Sequence, residues 1–147
     1  MPGISEIAAL EILSETGTNL HEWPSRNHFV SWLNLCPNNK ISGGKLISSQ
    51  LLKKKPNAVA AAFRTAANSM YKSKHWTGDY FRRMKAKGGQ KYAIVATARK
   101  LAIIYYEMVT SGKPYKPLDN SEYKLIIQRK KIAHLEELLK RLKTEVA

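Results

Sequence analysis

Apolar residues recur along this chain at helical spacing, and the breaks between periodic stretches fall at Gly, Pro and Ser. The opening "MPGISEIAALEILSETG" predicts a Pro-Gly turn and one helix: Ser5 can cap it, Ile7, Leu10, Ile12 and Leu13 supply apolar positions, and Gly17 stops it. "WPSRNHFVSWLNLCP" predicts a short buried helix capped by Ser25, carrying Phe29, Val30, Trp32, Leu33 and Leu35 and terminated by Pro37. "NAVAAAFRTAANSMYKS" reads as an alanine-rich helix begun by Pro56 and Asn57, whose small side chains let another backbone come close. "HWTGDYFRRMKAKGG" is a further helix, kinked or started late at Gly78 and ended by Gly88 and Gly89. "QKYAIVATARKLAIIYYEMVTSG", apolar on most sides, is the expected central helix. After the loop "KPYKPL", Leu125, Ile132, Leu135, Leu139, Leu142 and Val146 trace a heptad seam with Gln128 in the missing place. That seam suits pairing with another chain or folding back on its own domain. The expected fold class is all-α: a compact helical domain over residues 1–118 and a long C-terminal helix, a candidate coiled coil, over 119–147.

The 147 residues suffice for one ordinary core, and an apolar content of 44% favours packing over disorder. No long apolar run suggests a membrane span, and the N-terminus lacks the order of a secretory signal. A single cysteine, Cys36, rules out an intrachain disulfide and disfavours a cysteine-based zinc site, so a reducing cytoplasm is the expected compartment. Charge changes the picture more. The formal net charge is +14, and residues 40–100 hold fifteen Lys or Arg against one acid, Asp79, while the remaining basic and acidic residues balance. A charge run is often only a solvated face. Here acids are nearly excluded, and Tyr71, His75, Trp76, Tyr80 and Phe81 interleave with Lys72, Lys74, Arg82, Arg83, Lys85 and Lys87. That mixture suits phosphate contact with stacking on bases or sugars, although several of the rings also fit a core.

The excess begins at "NNKISGGKLISS", residues 38–49, which reads as a flexible, cationic, serine-bearing loop. A serine attacks only when its proton is removed and the charge developing on its target is neutralised. Gly43 and Gly44 let the backbone approach a phosphate, and Lys40 and Lys45 offset charge on a phosphoryl group, so Ser42 suits phosphoryl transfer. The same string also reads as an ordinary Ser-Gly-Gly turn, and it lacks the spacing of a nucleotide-hydrolase phosphate loop. The Gly-containing turn at the N-terminus is a weak phosphate-holding signal beside plain helix capping. His28 has no second ligand at metal spacing and reads as structural.

Taken in order, "PGISEIAALEILSETG", "FVSWLNLCPNNKISGGK", "AAFRTAA" and "AIVATARKLAIIYYEMV" resemble the C-terminal transposase domain of the insertion-sequence recombinases guided by a bridge RNA, over roughly residues 2–118. The resemblance implies a helix-hairpin-helix-like element at the N-terminus. It also implies that Ser42, matching the family's serine, attacks DNA to give a transient phosphoserine link. Complete members carry an N-terminal RuvC-like domain whose carboxylates, usually DEDD, bind magnesium and complete a composite site. This chain begins at the hairpin, so magnesium is expected in that other domain and no metal in this one. An excised piece or a truncated reading frame, unable to cut DNA alone, is the expectation. The chain departs from the family at Pro56, where a glycine is usual, and in a loop over 45–53 poorer in Gly and basic residues.

On this reading Ser42 is the catalytic candidate. Gly43, Gly44, Lys40, Lys45 and Arg64 are candidate contacts at the reacting phosphate, and Lys53, Lys54, Lys55, Arg82 and Arg83 candidate positioning contacts. The implied partners are DNA and a guide (bridge) RNA, with homo-oligomerisation through the C-terminal helix and no membrane. Two alternatives of other classes remain open: a non-catalytic nucleic-acid-binding module, and an assembly module built on the heptads.

Overall fold

The computed structural model describes residues 1–51 and 56–146. These fall into two compact units, Met1–Tyr115 and Lys116–Ala147. The described residues form five α-helices, one short 3-10 helix and a two-stranded sheet.

A turn over residues 1–4, closed by Ile4 N–H donating to Met1 O, leads into α1 (Glu6–Thr16). Ser5 Oγ accepts from Ala8 N–H, and the Gly17 N–H closes the last turn on Leu13 O. Of the apolar residues predicted for this helix, Ile12 is fully buried, whereas Ile7 and Leu10 face solvent. Gly3 has φ +74°, and a Cβ there would lie 2.8 Å from Ala66 O and 2.7 Å from Met70 Cε. The N-terminal turn therefore abuts the end of the alanine-rich helix, and glycine is the residue that permits the approach.

Helix α2 (Arg26–Trp32) begins at Ser25, but the Ser25 hydroxyl meets His28 Nδ1 at 2.8 Å and makes no bond to the helix backbone. His28 is thus an exposed part of the helix start. The helix stops at Leu33, and Asn34 takes the left-handed conformation (φ +53°), so the chain leaves the helix three residues before Pro37. Trp32, predicted to be buried, lies on the rim against Trp23 and Phe29, with ring centroids at 4.9 and 5.9 Å. A seven-residue helix has one inward face, and Phe29, Val30 and Leu33 already fill it.

Helix α3 (Ala58–Ser69) is capped by Asn57, whose Oδ1 accepts from Ala60 N–H at 2.9 Å. Its Ala60, Ala62, Ala66 and Ala67 are buried, and the close approach they allow is made by α4 (Trp76–Ser111). Helix α4 is broken at Gly88 and Gly89, which take non-helical backbone angles, so residues 76–87 and 90–111 run in different directions. The later half supplies Ala98, Leu101, Ala102 and Tyr105 to the main core, with Ile12, Leu20, Phe29, Val30, Leu33, Leu35, Val59 and Phe63 from the earlier helices. Two buried hydroxyls pair inside it: Thr16 Oγ1 and Tyr105 OH are 2.9 Å apart. A smaller cluster joins Met70 of the 3-10 helix (Met70–Lys72) to Phe81 from the earlier half and Ala93 from the later half.

The fold class is mostly α, as the periodicity predicts. The exception is the segment predicted to be a flexible loop. It is a β-hairpin, β1 (Asn38–Ser42) antiparallel to β2 (Lys45–Gln50), joined by Gly43 and Gly44. Both glycines have positive φ, +55° and +75°, the pair that a type I′ turn demands. In the second unit, α5 (Asn120–Val146) starts behind Asp119, whose carboxylate accepts from Ser121 N–H. These hydrogen bonds from Ser121 hold the Asp119 carboxyl below its usual range.

Candidate nucleic-acid interface

The hairpin register decides which side chains share a face. Ser42 pairs with Lys45 across the turn, and Lys40 pairs with Ser48. Residues two apart on a strand, and directly opposed residues on partner strands, point to the same side. Lys40, Ser42, Lys45 and Ser48 therefore line one face of the ribbon, with the hydroxyl of Ser42 flanked by a cation along its own strand and another across the turn. A bulge between the Lys40 and Ile41 pairings places the extra residue in β2, which leaves the alternation along β1 intact. The opposite face carries Asn39 and Ser49, joined by a 2.7 Å hydrogen bond, and the largely exposed Ile41. All of β1 is exposed, and a Cβ on Gly43 or Gly44 would meet nothing within 4 Å. The turn is open to solvent.

The other predicted contacts are placed differently. Arg64, on α3, donates through Nη2 to the Asn34 carbonyl at 3.3 Å. That bond ties α3 to the left-handed residue that precedes the hairpin. Arg82 donates through Nη1 to the carbonyls of Tyr71 and Ser73, both at 2.9 Å, and pairs through Nη2 with Asp79. Its guanidinium ties the 3-10 helix to the start of α4, and Asp79, the lone acid of residues 40–100, is neutralised within the same contact. Arg83 lies over the Tyr80 ring at 5.5 Å, and Lys85 over the Tyr71 ring at 4.3 Å. Lys53, Lys54 and Lys55 lie outside the described residues.

Two of the five interleaved aromatics belong to the core, while Tyr71 is exposed and His75 and Tyr80 are partly so. Phe81 is fully buried, Trp76 is nearly so, and Tyr71 already carries Lys85 on its face. Trp76 Nε1 donates to Tyr115 OH at 3.0 Å, and Tyr115 OH also meets His75 Nε2 at 3.4 Å. His75 caps α4, its Nδ1 accepting from Thr77 N–H, and partial burial lowers its pKa from the usual 6.5. Exposed cations that pattern reading did not single out sit at Lys91 and Lys100, on the helix read as apolar on most sides. A helix that is central to the core still has an outer face, and the basic spacing along it was the signal.

Among the described residues no three His, Cys, Asp or Glu side chains converge to hold a metal ion, and Asp79 is committed to Arg82. Nor is any described helix long and apolar enough to cross a membrane.

No curated protein sequence matches the chain significantly. The sequence model of the transposase family IS116/IS110/IS902 matches residues 1–82, which span α1, α2, the hairpin, α3 and the start of α4. That stretch is more than half of the chain and contains the whole serine-bearing ribbon; the chain belongs to the IS116/IS110/IS902 transposase family.

Proposed function

We propose that this chain is the DNA-contacting, serine-bearing part of an insertion-sequence recombinase, and that Ser42 is its nucleophile. The observation that carries the reading is the ribbon face on which Ser42 stands at the turn with Lys40 and Lys45 beside it. Ser42 Oγ attacks a DNA phosphorus, an Oγ–P bond forms as a P–O bond to the neighbouring nucleotide breaks, and the released sugar oxygen leaves as a hydroxyl. The exchange is nearly isoenergetic because one phosphodiester replaces another, so reversal by a second sugar hydroxyl rejoins strands. Lys40 and Lys45 stabilise charge on the non-bridging oxygens and lower the cost of an ionised serine. Exposed Lys72, Lys87, Lys91 and Lys100 hold the DNA by sequence-independent phosphate contact. A guide RNA, which the family resemblance implies, would draw on the same basic surface.

The hairpin, residues 38–50, contains no Asp, Glu or His. The group that takes the serine proton must therefore come from outside the ribbon, and a separate carboxylate-bearing domain would supply it. This same absence favours a second reading, in which the isolated chain binds nucleic acid and its serine stays inert. Incubating the chain with end-labelled element-junction DNA, with and without the N-terminal domain of a full-length relative and magnesium, separates the two. The nucleophile reading expects a covalent adduct that disappears in Ser42→Ala while DNA affinity is kept. Binding without any adduct in either mixture leaves the module reading.

A further inference from the structure

Helix α5 has 27 residues, about 40 Å of helix, and carries an apolar stripe open to solvent that only Gln128 interrupts. Leu125, Ile132, Leu135, Leu139 and Leu142 are each about half exposed, and Leu138 is 40% exposed. With Gln128 in the open place, Leu125, Ile132, Leu135, Leu139 and Leu142 recur at alternating spacings of three and four residues, which keeps one seam facing one partner along the helix. Large apolar side chains repeated at this spacing are costly to leave in water. We propose that the seam is covered by α5 of a second copy of this chain, and that the two helices run antiparallel.

The charged residues flanking the seam decide both occupant and direction. Placing Ile132 against the partner's Leu135 centres the pair at the middle of α5, so that the helices overlap along their full length. The remaining layers then set Leu125 against the partner's Leu142 and Gln128 against the partner's Leu139, with their symmetry mates. On one flank this register brings Arg129 to the partner's Glu136 and Glu122 to the partner's Lys143. Each occurs twice, which makes four attractive contacts from one helix sequence paired with itself. The other flank brings Lys131 beside the partner's Leu138, whose methylenes and side chain cover the edge of the seam.

A parallel pair in register would set Lys131 against the partner's Glu136, which is favourable. It would also set Lys124 against the partner's Arg129, which is repulsive twice over. Gln128 facing its own symmetry mate would favour that arrangement, since two amides can hydrogen-bond. The flanking contacts outweigh it: four attractions against two attractions and two repulsions, while in the antiparallel pair an amide near the end of the seam can still reach water. Antiparallel pairing also places the two α5 N-termini at opposite ends, about 40 Å apart. The inference rests on α5 alone and stands whether or not Ser42 is the nucleophile.

Sedimentation of the full chain over a range of concentrations, away from DNA, should show a monomer–dimer equilibrium. Glu136→Lys should raise the dissociation constant roughly tenfold, because two attractions become repulsions. Adding Arg129→Glu should restore dimerisation, because the swapped charges again face each other; the direction of the helices is read from the disulfides. In a Cys36→Ser background, mixed chains bearing Gln128→Cys or Leu139→Cys should oxidise to the mixed disulfide. A chain that stays monomeric at every concentration, a charge swap that fails to rescue, or disulfides joining two Gln128→Cys chains would each overturn the proposal.

Discussion

Gly78 shows how closely the chain approaches itself near the start of α4. A Cβ there would sit 2.2 Å from Ser73 O and 2.9 Å from Met70 O, contacts with backbone that no rotamer change can relieve. Gly78→Ala should therefore destabilise the fold by about 1–3 kcal/mol, read as a lowered midpoint in thermal or urea denaturation. Ser42 is the opposite case. It is exposed on the ribbon, so Ser42→Ala should change stability by no more than about 0.5 kcal/mol. Arg82 and Lys45, both basic and both near the predicted interface, should also separate. Arg82→Ala should lower the melting temperature because three backbone and carboxylate contacts are lost. Lys45→Ala should leave melting unchanged, weaken DNA binding, and reduce the steepness of its salt dependence by about one counterion. Sequence alone could not part these two cations, because the carbonyls that hold Arg82 belong to residues brought near it by folding.

Among the elements, the helices were legible where their signals are local. Ser5, Asn57 and Gly17 act as caps and stops in the structure because capping uses only neighbouring backbone groups. The ribbon reads as a loop from sequence because Asn, Lys, Ser and Gly are weak strand formers, and neither strand carries a clear apolar alternation. A two-residue Gly-Gly link between Ile41 and Ile47 was the signal that could have revealed it. A lone two-stranded hairpin is marginal in water, so its amides should exchange with solvent much faster than those of α3, and DNA should slow them. The start of α4 should respond to pH. His75 keeps its neutral form to lower pH in the folded chain than in the unfolded one. As pH falls below about 6.5 the unfolded chain takes up a proton first, and stability drops through that window until the folded imidazole protonates as well. His75→Asn, which can still accept from the Thr77 N–H, should flatten the pH dependence of the melting temperature between pH 5 and 7.

At the scale of the molecule, the order of helices, the central placement of residues 90–111 and the family were all readable from spacing and motif. The distribution of the positive charge over faces was not. Residue counts placed the whole excess in residues 40–100, yet folding commits Arg82 and Arg64 to the scaffold and turns Lys40 and Lys45 outward around Ser42. The central claim is that this one serine carries the DNA. The measurement that addresses it most directly is peptide mapping by mass spectrometry of an adduct formed with junction DNA in the presence of a relative's N-terminal domain and magnesium. The account predicts a nucleotide phosphate on Ser42. The same mass on Ser48 or Ser49, which share the ribbon, or an adduct that survives Ser42→Ala, would contradict it.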